Sequence, residues 1–319
     1  MKAVVVVVLY GKKVEESECV RSLKRYFIDN DDIKILLISN SQGKSIATAD
    51  WYEAYQATEN LGLTAPYQFG LNYANANGAK YLITFDQDTE INENYVEAVR
   101  QLFEKNIEST EEKVSAYLPI LYDVEENRPC SPGVIDPRER LSTRRYEKEN
   151  LSDDDVIVGF NSGAIYRVEA LNAIGGFPLD YPLDFSDGEI FRKLHYAGYY
   201  PHVMDNIRIN HSLSINSNDG MSRMRFVSFL HYAKKFYFET ASYLAKNSDE
   251  KALLQNKYED LYYEYVKKIK RKAFRRLLTF KKGEPTYSTI RKIERGELVL
   301  SDEMINLGRN FESKIIRIG

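Results

Sequence analysis

The feature of this sequence that most constrains its fold is an apolar run that ends in two carboxylates. Residues 81–85 are apolar or β-branched, and Asp86 and Asp88 follow them, separated only by Gln87. A continuous apolar run of this length is typical of a strand buried on both faces of a parallel sheet. Ligands of open α/β sheets bind at the carboxyl ends of the strands, where both aspartates are expected. The pattern therefore predicts a site for a divalent cation that also takes phosphate oxygens, with an acidic turn as the alternative.

Alternating strand and helix patterns around this run predict the fold class. Apolar runs at residues 3–9 and 33–38 flank a helical pattern at residues 15–27. Strand–helix–strand order with short connections gives a mostly parallel α/β sheet with right-handed crossovers. Residues 52–57 are ambiguous, and residues 123–155 predict a long loop or a pair of short strands. Further helices are expected at residues 67–78, 94–103 and 188–197, and further strands at residues 114–121, 164–167 and 207–209.

The character of the chain changes after Ser217. Residues 223–244 and 251–280 carry long helical patterns rich in Tyr and Lys, without a strand signal, and residues 284–319 carry a weaker helical pattern. We therefore predict an α/β domain at residues 1–217 and a helical region at residues 218–319.

Composition and length exclude several classes of protein. The net charge of −3 gives no overall attraction for nucleic acid. Two cysteines, Cys19 and Cys130, are too few for a disulfide framework, which favours a reducing compartment. No apolar run approaches the ~20 residues of a membrane-spanning helix. The apolar run at residues 3–9 is short and lacks the cleavage site of a signal peptide. We expect a cytoplasmic protein.

A set of motifs in one order carries a family resemblance. In chain order they are Ser39-Asn40-Ser41, Asn60-Leu61-Gly62, Asp86-Gln87-Asp88, Asn161-Ser162-Gly163, Gly175-Gly176-Phe177, the run from Asp184 to Glu189, and His211. This order resembles the inverting glycosyltransferases of family 2, and the resemblance covers residues 3–225. A Phe-Asp-Gln-Asp run and an Asp-x-x-Asp-x-Glu run are similar to those of the rhamnosyltransferase branch. The resemblance implies the GT-A fold, a Rossmann-like, mostly parallel sheet flanked by helices, here with a C-terminal helical extension.

The resemblance implies roles at a metal and at a nucleotide-sugar donor. Asp88 would ligate Mg²⁺ or Mn²⁺, and Asp86 would lie near the ribose or the metal. His211 would be a third metal contact, with a hydrogen-bonded structural histidine as the alternative. The cation would neutralise the donor diphosphate as the leaving group departs. Further donor contacts are expected from Tyr10, Asn40, Arg223 and Arg225.

Asp187 matches the general base of this family. Inversion in one displacement requires a carboxylate that takes the proton of the acceptor hydroxyl on the face opposite the diphosphate. Asp187 also opens a predicted helix, where a carboxylate is a stabilising cap, and the two roles can coexist. Asp184 and Glu189 would contact the acceptor or raise the pKa of Asp187, and Arg192 would either balance their charge or lie on the surface. The remaining acceptor-side candidates are Asn161, Ser162 and Gly163, for which a tight turn is the alternative.

One position departs from the family pattern. The family commonly has an aspartate in the loop after the second strand, where it contacts the pyrimidine base, and this chain has Ser39-Asn40-Ser41 there. Transfer of L-rhamnose from dTDP-rhamnose is therefore implied by the branch resemblance alone. The alternative donors are UDP-glucose, UDP-galactose and UDP-N-acetylglucosamine. A non-enzymatic alternative is a GT-A-like binding subunit without turnover.

Residues 267–282 are strongly basic and repeat apolar residues at helical spacing. They contain nine lysines and arginines and no acidic residue. A basic amphipathic helix predicts binding to an anionic membrane surface, and a docked helix with a solvated basic face is the alternative. Membrane binding fits a lipid-linked saccharide or glycan acceptor at the inner face of the plasma membrane. No nucleic-acid recognition motif accompanies the charge, so we expect no nucleic-acid partner.

Overall fold

The computed structural model describes residues 1–41, 46–104, 113–124, 127–136, 140–211, 223–277, 291–293 and 295–318. The chain divides into two compact units. The first comprises Met1–Val134, Arg144–Ser212 and Leu307–Gly319, and the second comprises Ile135–Thr143 and Leu213–Asn306. The predicted boundary near residue 217 stays a prediction, because residues 212–222 lie outside the described part of the chain.

Strands and helices alternate along most of the first unit, and helices dominate the second. The strands are β1 (Ala3–Leu9), β2 (Ile33–Ser39), β3 (Glu53–Ala57), β4 (Tyr81–Asp86), β5 (Thr89–Glu90), β6 (Val114–Asp123), β7 (Arg128–Ser131), β8 (Gly133–Asp136), β9 (Arg140–Arg145), β10 (Val156–Val158), β11 (Ala164–Arg167), β12 (Tyr200–His211) and β13 (Ile315–Ile318). The helices are α1 (Glu18–Phe27), α2 (Thr64–Ala76), α3 (Glu93–Glu104), α4 (Val168–Ala173), α5 (Ser186–Tyr196), α6 (Arg223–Leu244), α7 (Ser248–Leu277) and α8 (Asp302–Ile305).

One mixed sheet organises the first unit. Within the described residues it has ten strands, in the order β13-β3-β2-β1-β4-β11-β6-β12-β5, with β7 paired to β6. The central pairs are parallel: β1 with β2 and β4, β2 with β3, and β6 with β12. Strand β11 runs antiparallel to both β4 and β6 and joins the two parallel halves. The predicted α/β sheet, mostly parallel and flanked by helices, is confirmed.

The central strands are buried on both faces, as their apolar runs predict. Every residue of β1 is buried, and so is every residue of β4 before Asp86. Val5 belongs to a core that includes Leu23 of α1 and Val99 of α3. On the other face α2 crosses β1 at Gly70, where a Cβ atom would lie 2.2 Å from Val6 Cγ2. The close approach of α2 to the sheet therefore requires glycine at this position.

The structure differs from the sequence-based expectations at three strands. The ambiguous residues 52–57 form strand β3. Strand β12 is much longer than the predicted residues 207–209. Its first half is half-exposed and irregularly paired, so it lacks the apolar pattern of a buried strand. Residues 315–318 form strand β13, antiparallel to β3, rather than a helical tail. Four residues are too few for a periodic signal, so only the pairing defines this strand.

The C-terminal part of the second unit is helical, as predicted. Its main elements are α6 and α7, which pack on each other through aromatic side chains. The Tyr237 ring centroid lies 6.0 Å from that of Tyr262 and 5.7 Å from that of Tyr265. The abundant tyrosines of this region therefore serve helix packing.

The basic stretch lies partly within α7. Its backbone is helical to Leu277, whereas the side chains from residue 269 onward and the whole of residues 278–282 lie outside the described part. Lys267 Nζ lies 2.6 Å from Glu264 Oε1 on the exposed surface of this helix. Among the described residues, no helix is both long and apolar enough to cross a membrane.

Candidate active site

Asp86, Asp88 and His211 meet at the carboxyl edge of the sheet. Asp86 ends β4 and His211 ends β12. The two-residue strand β5 pairs with the end of β12 and sets His211 opposite Thr89. One possible ligand atom from each of the three side chains lies within 4.8 Å of the others. The structure thus brings together the three residues predicted to hold a metal.

The chemistry of this cluster fits a divalent cation. Asp88 Oδ1 is buried, has no hydrogen-bond partner among the described residues, and lies 3.7 Å from His211 Nδ1. Burial raises the pKa of Asp88 to about 6, the charge of Asp86 acts in the same direction, and His211 opposes the shift. A buried carboxylate oxygen without a partner is costly, and a bound cation removes that cost. Two carboxylates and one imidazole are suitable ligands for Mn²⁺ and, less well, for Mg²⁺.

Buried hydroxyl groups hold Asp86 and His211 in place. Tyr67 donates a hydrogen bond of 3.0 Å from its hydroxyl to Asp86 Oδ1. Ser162 Oγ accepts a bond of 2.9 Å from the backbone N–H of Asp86 and lies 2.5 Å from Thr89 Oγ1. Thr89 Oγ1 in turn lies 2.9 Å from His211 Nδ1. Sequence reasoning missed Tyr67 and Thr89, because nothing in their spacing shows that their hydroxyls face a carboxylate or an imidazole.

Asp187 lies in the first turn of α5, soon after a residue in an unusual conformation. Phe185 has φ of 59°, in the left-handed region, which is rare for a bulky side chain and is stabilised only by its surroundings. Asp187 Oδ1 accepts a hydrogen bond of 3.1 Å from the backbone N–H of Asn161. Burial raises the pKa of Asp187 to about 8, the charges of Asp86 and Asp184 add to the shift, and the Asn161 bond opposes it. The charge of Asp86, one member of the Asp86–Asp88–His211 cluster, therefore acts on Asp187.

The acidic residues around Asp187 have different surroundings. Glu189 and Arg192 are both buried and form an ion pair within α5. Arg192 therefore balances Glu189 and does not lie on the surface. Asp184 is buried in the preceding loop, whose Pro182 carbonyl accepts a bond of 2.7 Å from the N–H of Leu63. Contacts of Asp184 and Glu189 with an acceptor stay predictions.

The Asn161-Ser162-Gly163 turn is held by contacts with neighbouring strands of the sheet. Asn161 Oδ1 accepts a hydrogen bond of 2.7 Å from the Tyr166 hydroxyl. Gly163 has φ of +77°, and a Cβ atom there would lie 2.7 Å from Ile209 Cδ1. The turn therefore requires glycine, and it contacts Asp187 through the Asn161 N–H and Asp86 through the Ser162 hydroxyl. Acceptor binding by these three residues stays a prediction.

Asn40 holds a neighbouring loop. Its side-chain Nδ2 donates to Asn60 Oδ1 at 3.0 Å and to the Gly62 carbonyl at 2.7 Å. Its Oδ1 accepts a bond of 2.8 Å from the Leu61 N–H. Both amide hydrogens are thus used within the protein, and the contact of Asn40 with a nucleotide base stays a prediction.

The other donor-side candidates differ in position. Tyr10 follows β1 and is 58% exposed, so its ring is available to a ligand. The side-chain amide of Gln87 bonds to both the N–H and the carbonyl of Tyr10, at 2.8 and 3.1 Å, and ties this residue to the Asp86–Asp88 loop. Arg223 and Arg225 begin α6 of the second unit, and the side chain of Arg223 lies outside the described part. Their role at the donor stays a prediction.

Comparisons with known proteins identify the fold from three-dimensional structure. No family model and no curated protein sequence matches the chain. The structure of S. aureus TarS residues 1–349 in complex with UDP-GlcNAc is similar, with 13% identity and a TM-score of 0.51, over 98% of this chain and 88% of that chain. The longer TarS structure has 14% identity and a TM-score of 0.49, over 82% of this chain and 44% of that chain. The mannosyltransferase PcManGT from Pyrobaculum calidifontis, in complex with GDP-Man and Mn²⁺, has 13% identity and a TM-score of 0.48, over 92% and 86% of the two chains.

The match to TarS residues 1–349 shows the fold class. A mixed, mostly parallel sheet flanked by helices, with a helical C-terminal part, is the architecture of GT-A glycosyltransferase structures. The chain therefore has the GT-A fold, as the motif order implied. At 13% identity the match shows the fold alone, and this chain spans 44% of the longer TarS chain.

Proposed function

We propose that this protein is a metal-dependent glycosyltransferase that moves a sugar from a nucleotide diphosphate to a hydroxyl group of a glycan acceptor. The observation that carries the proposal is the cluster of Asp86, Asp88 and His211 at the carboxyl edge of a GT-A sheet. Asp187, a carboxyl group with a strongly raised pKa, lies within reach of the charge of that cluster. Perturbed carboxyl groups beside a metal-ligand set are typical of catalytic sites. The UDP-GlcNAc bound to TarS supports a nucleotide-sugar donor.

Asp86, Asp88 and His211 would hold Mg²⁺ or Mn²⁺. A cation at this position would supply Lewis-acid stabilisation of the charge that develops on the diphosphate. Asp88 contributes the buried oxygen without a partner among the described residues, and Tyr67 and Thr89 keep the other two side chains oriented.

Asp187 is the general base of the proposed reaction. With a pKa near 8 in the protein alone, its carboxyl group is mainly protonated at neutral pH. Neutralisation of the Asp86 charge lowers this pKa, since Asp86 is the largest charge acting on Asp187. A lower pKa favours the ionised carboxylate, which is the form that can take the proton of the acceptor hydroxyl. A single in-line displacement inverts the configuration at the anomeric carbon.

Within this reaction class we propose L-rhamnose from dTDP-rhamnose as the transferred sugar. The support is the resemblance of the Phe85–Asp88 and Asp184–Glu189 runs to the rhamnosyltransferase branch. A UDP sugar is the alternative donor, favoured by the ligand of the TarS structure. The proposed acceptor is a cell-surface polysaccharide or a lipid-linked glycan, reached by association of residues 267–282 with an anionic membrane surface.

A donor panel tests the proposal. The full chain is incubated with dTDP-rhamnose, UDP-glucose, UDP-galactose or UDP-GlcNAc, in the presence of Mn²⁺, Mg²⁺ or EDTA, and donor binding and hydrolysis are measured. We expect one donor to bind and hydrolyse with a divalent cation and not with EDTA. Asp88→Asn should remove this activity, and Asp153→Asn, at an exposed position, should preserve it. Preference for a UDP sugar would change the donor only, whereas no binding of any donor would favour the non-catalytic alternative.

A further inference from the structure

A chain of two buried hydroxyl groups connects two residues of the cation cluster. Ser162 Oγ accepts from the backbone N–H of Asp86, Thr89 Oγ1 lies 2.5 Å from Ser162 Oγ, and His211 Nδ1 lies 2.9 Å from Thr89 Oγ1. Thr89 is fully buried, and Ser162 and His211 are nearly so. The chain therefore runs from the end of β4 to the end of β12 without contact with bulk water.

Thr89 occupies the middle of this chain because of the fold. It begins β5, whose only partner strand among the described residues is the end of β12. The pairing sets Thr89 directly opposite His211, so their side chains lie on the same face of the sheet. Because Nδ1 bonds to Thr89, Nε2 is the ring nitrogen left to bind a cation, and this requires the Nδ1–H group to donate to Thr89 Oγ1. A ring held in this way has a fixed orientation and a fixed tautomer. Among the described residues, Thr89 is the one side chain at hydrogen-bond distance from the His211 ring.

We propose that Thr89 is a positioning residue that orients His211 for the cation, and that Ser162 links this orientation to Asp86. The inference rests on the proposed cation site. The hydroxyl pair fixes the nitrogen ligand relative to the carboxylate ligands, so it acts on metal affinity and on metal choice. Imidazole nitrogen favours Mn²⁺ over Mg²⁺, and a freely rotating ring loses part of that preference.

The test measures metal binding directly, without turnover. Mn²⁺ and Mg²⁺ affinities are measured by calorimetry, with free Mn²⁺ checked by electron paramagnetic resonance, for the full chain and its variants. Thr89→Val should weaken Mn²⁺ binding about tenfold and should weaken Mg²⁺ binding less, because outer hydrogen-bond partners of metal ligands typically contribute this much. Thr89→Ser keeps the hydroxyl and should restore Mn²⁺ binding. Thr64→Val is the matched control, since Thr64 is also buried and its Oγ1 has no partner among the described residues.

A double-mutant cycle separates positioning from a general structural effect. If Thr89 acts through His211, Thr89→Val should have no further effect on Mn²⁺ affinity in a His211→Ala background. An equal loss in both backgrounds would overturn the inference. Thermal unfolding without metal identifies any variant that fails to fold, and Ser162→Ala then replaces Thr89→Val in the same cycle.

The proposed cation site and the role of Thr89 fail in different ways. Asp88→Asn should abolish Mn²⁺ binding if the cluster is a metal site, and unchanged binding would overturn that proposal together with this inference. Loss of binding in Asp88→Asn, combined with unchanged affinity and unchanged Mn²⁺ preference in Thr89→Val, would overturn the role of Thr89 alone.

Discussion

Replacing Asp187 by asparagine should make the metal-free protein more stable, and the gain should increase with pH. The ordinary pKa of this carboxyl is 3.8, and burial beside Asp86 raises it to about 8 in the folded protein. The folded state therefore binds the proton more tightly than the unfolded state does. The stability that Asp187 contributes is complete below about pH 4 and is lost progressively as the pH rises through 8. The asparagine side chain would carry no charge and would keep an oxygen for the Asn161 N–H.

The size of the effect follows from the shift in pKa. A difference of about four pH units, at 1.36 kcal/mol per unit, corresponds to ~5 kcal/mol at alkaline pH. Between pH 5 and pH 9 the difference in free energy of unfolding between the wild type and Asp187→Asn should therefore change by ~4 kcal/mol. The same variant should bind the donor and lose nearly all transfer, because asparagine cannot accept the proton.

Urea unfolding at pH 5, 7 and 9 in EDTA measures this difference. Asp153→Asn, an exposed position in the same unit, controls for the loss of one negative charge. A constant difference between wild type and Asp187→Asn across this pH range would refute the raised pKa. Unchanged sugar transfer in Asp187→Asn would remove Asp187 as the base, whatever its effect on stability.

Three further predictions address the metal, the basic helix and the packing of α2. EDTA should abolish sugar transfer, and Mn²⁺ should restore it at lower concentration than Mg²⁺, as measured by product formation; metal-independent transfer would contradict the role of Asp88. Neutralising the basic residues from Lys267 to Lys272 should weaken binding to anionic vesicles at least tenfold in a flotation assay, because each basic residue contributes ~1 kcal/mol of binding free energy before screening by salt. Persistent binding would exclude this helix as the membrane anchor. Gly70→Ala should destabilise the fold by about 2 kcal/mol in urea unfolding, since its Cβ would lie 2.2 Å from Val6 Cγ2; unchanged stability would show that α2 can shift.

The sequence predicted the centre of the fold better than its edges. Strand β4 and its two aspartates were predictable because a strand buried on both faces is apolar throughout. The extent of β12 was not, because a half-exposed strand has no apolar run. Strand β13 was missed since its four residues are defined only by pairing with β3, far away in the sequence.

In the candidate site, too, some residues were predictable from the sequence and others were not. The motif order implied that Asp86, Asp88 and His211 act together, and the structure brings them together. The hydroxyl groups of Tyr67 and Thr89 could not be predicted, because each reaches its partner across the sheet or from a helix packed on it. The hydrogen bonds of Asn40 to residues 60–62 could not be predicted either, because the sequence of a turn does not show which other loop its side-chain amide will contact.

The pairing of β13 with β3 also has a consequence for synthesis on the ribosome. Ile315 pairs with Ala57, so about 260 residues are translated between the two partners. Until then β3 presents an open edge, and its backbone N–H and carbonyl groups are available to other chains. An open strand edge of this kind is a template for wrong strand pairing. The edge of the sheet at β3 is therefore covered only after β13 has been translated.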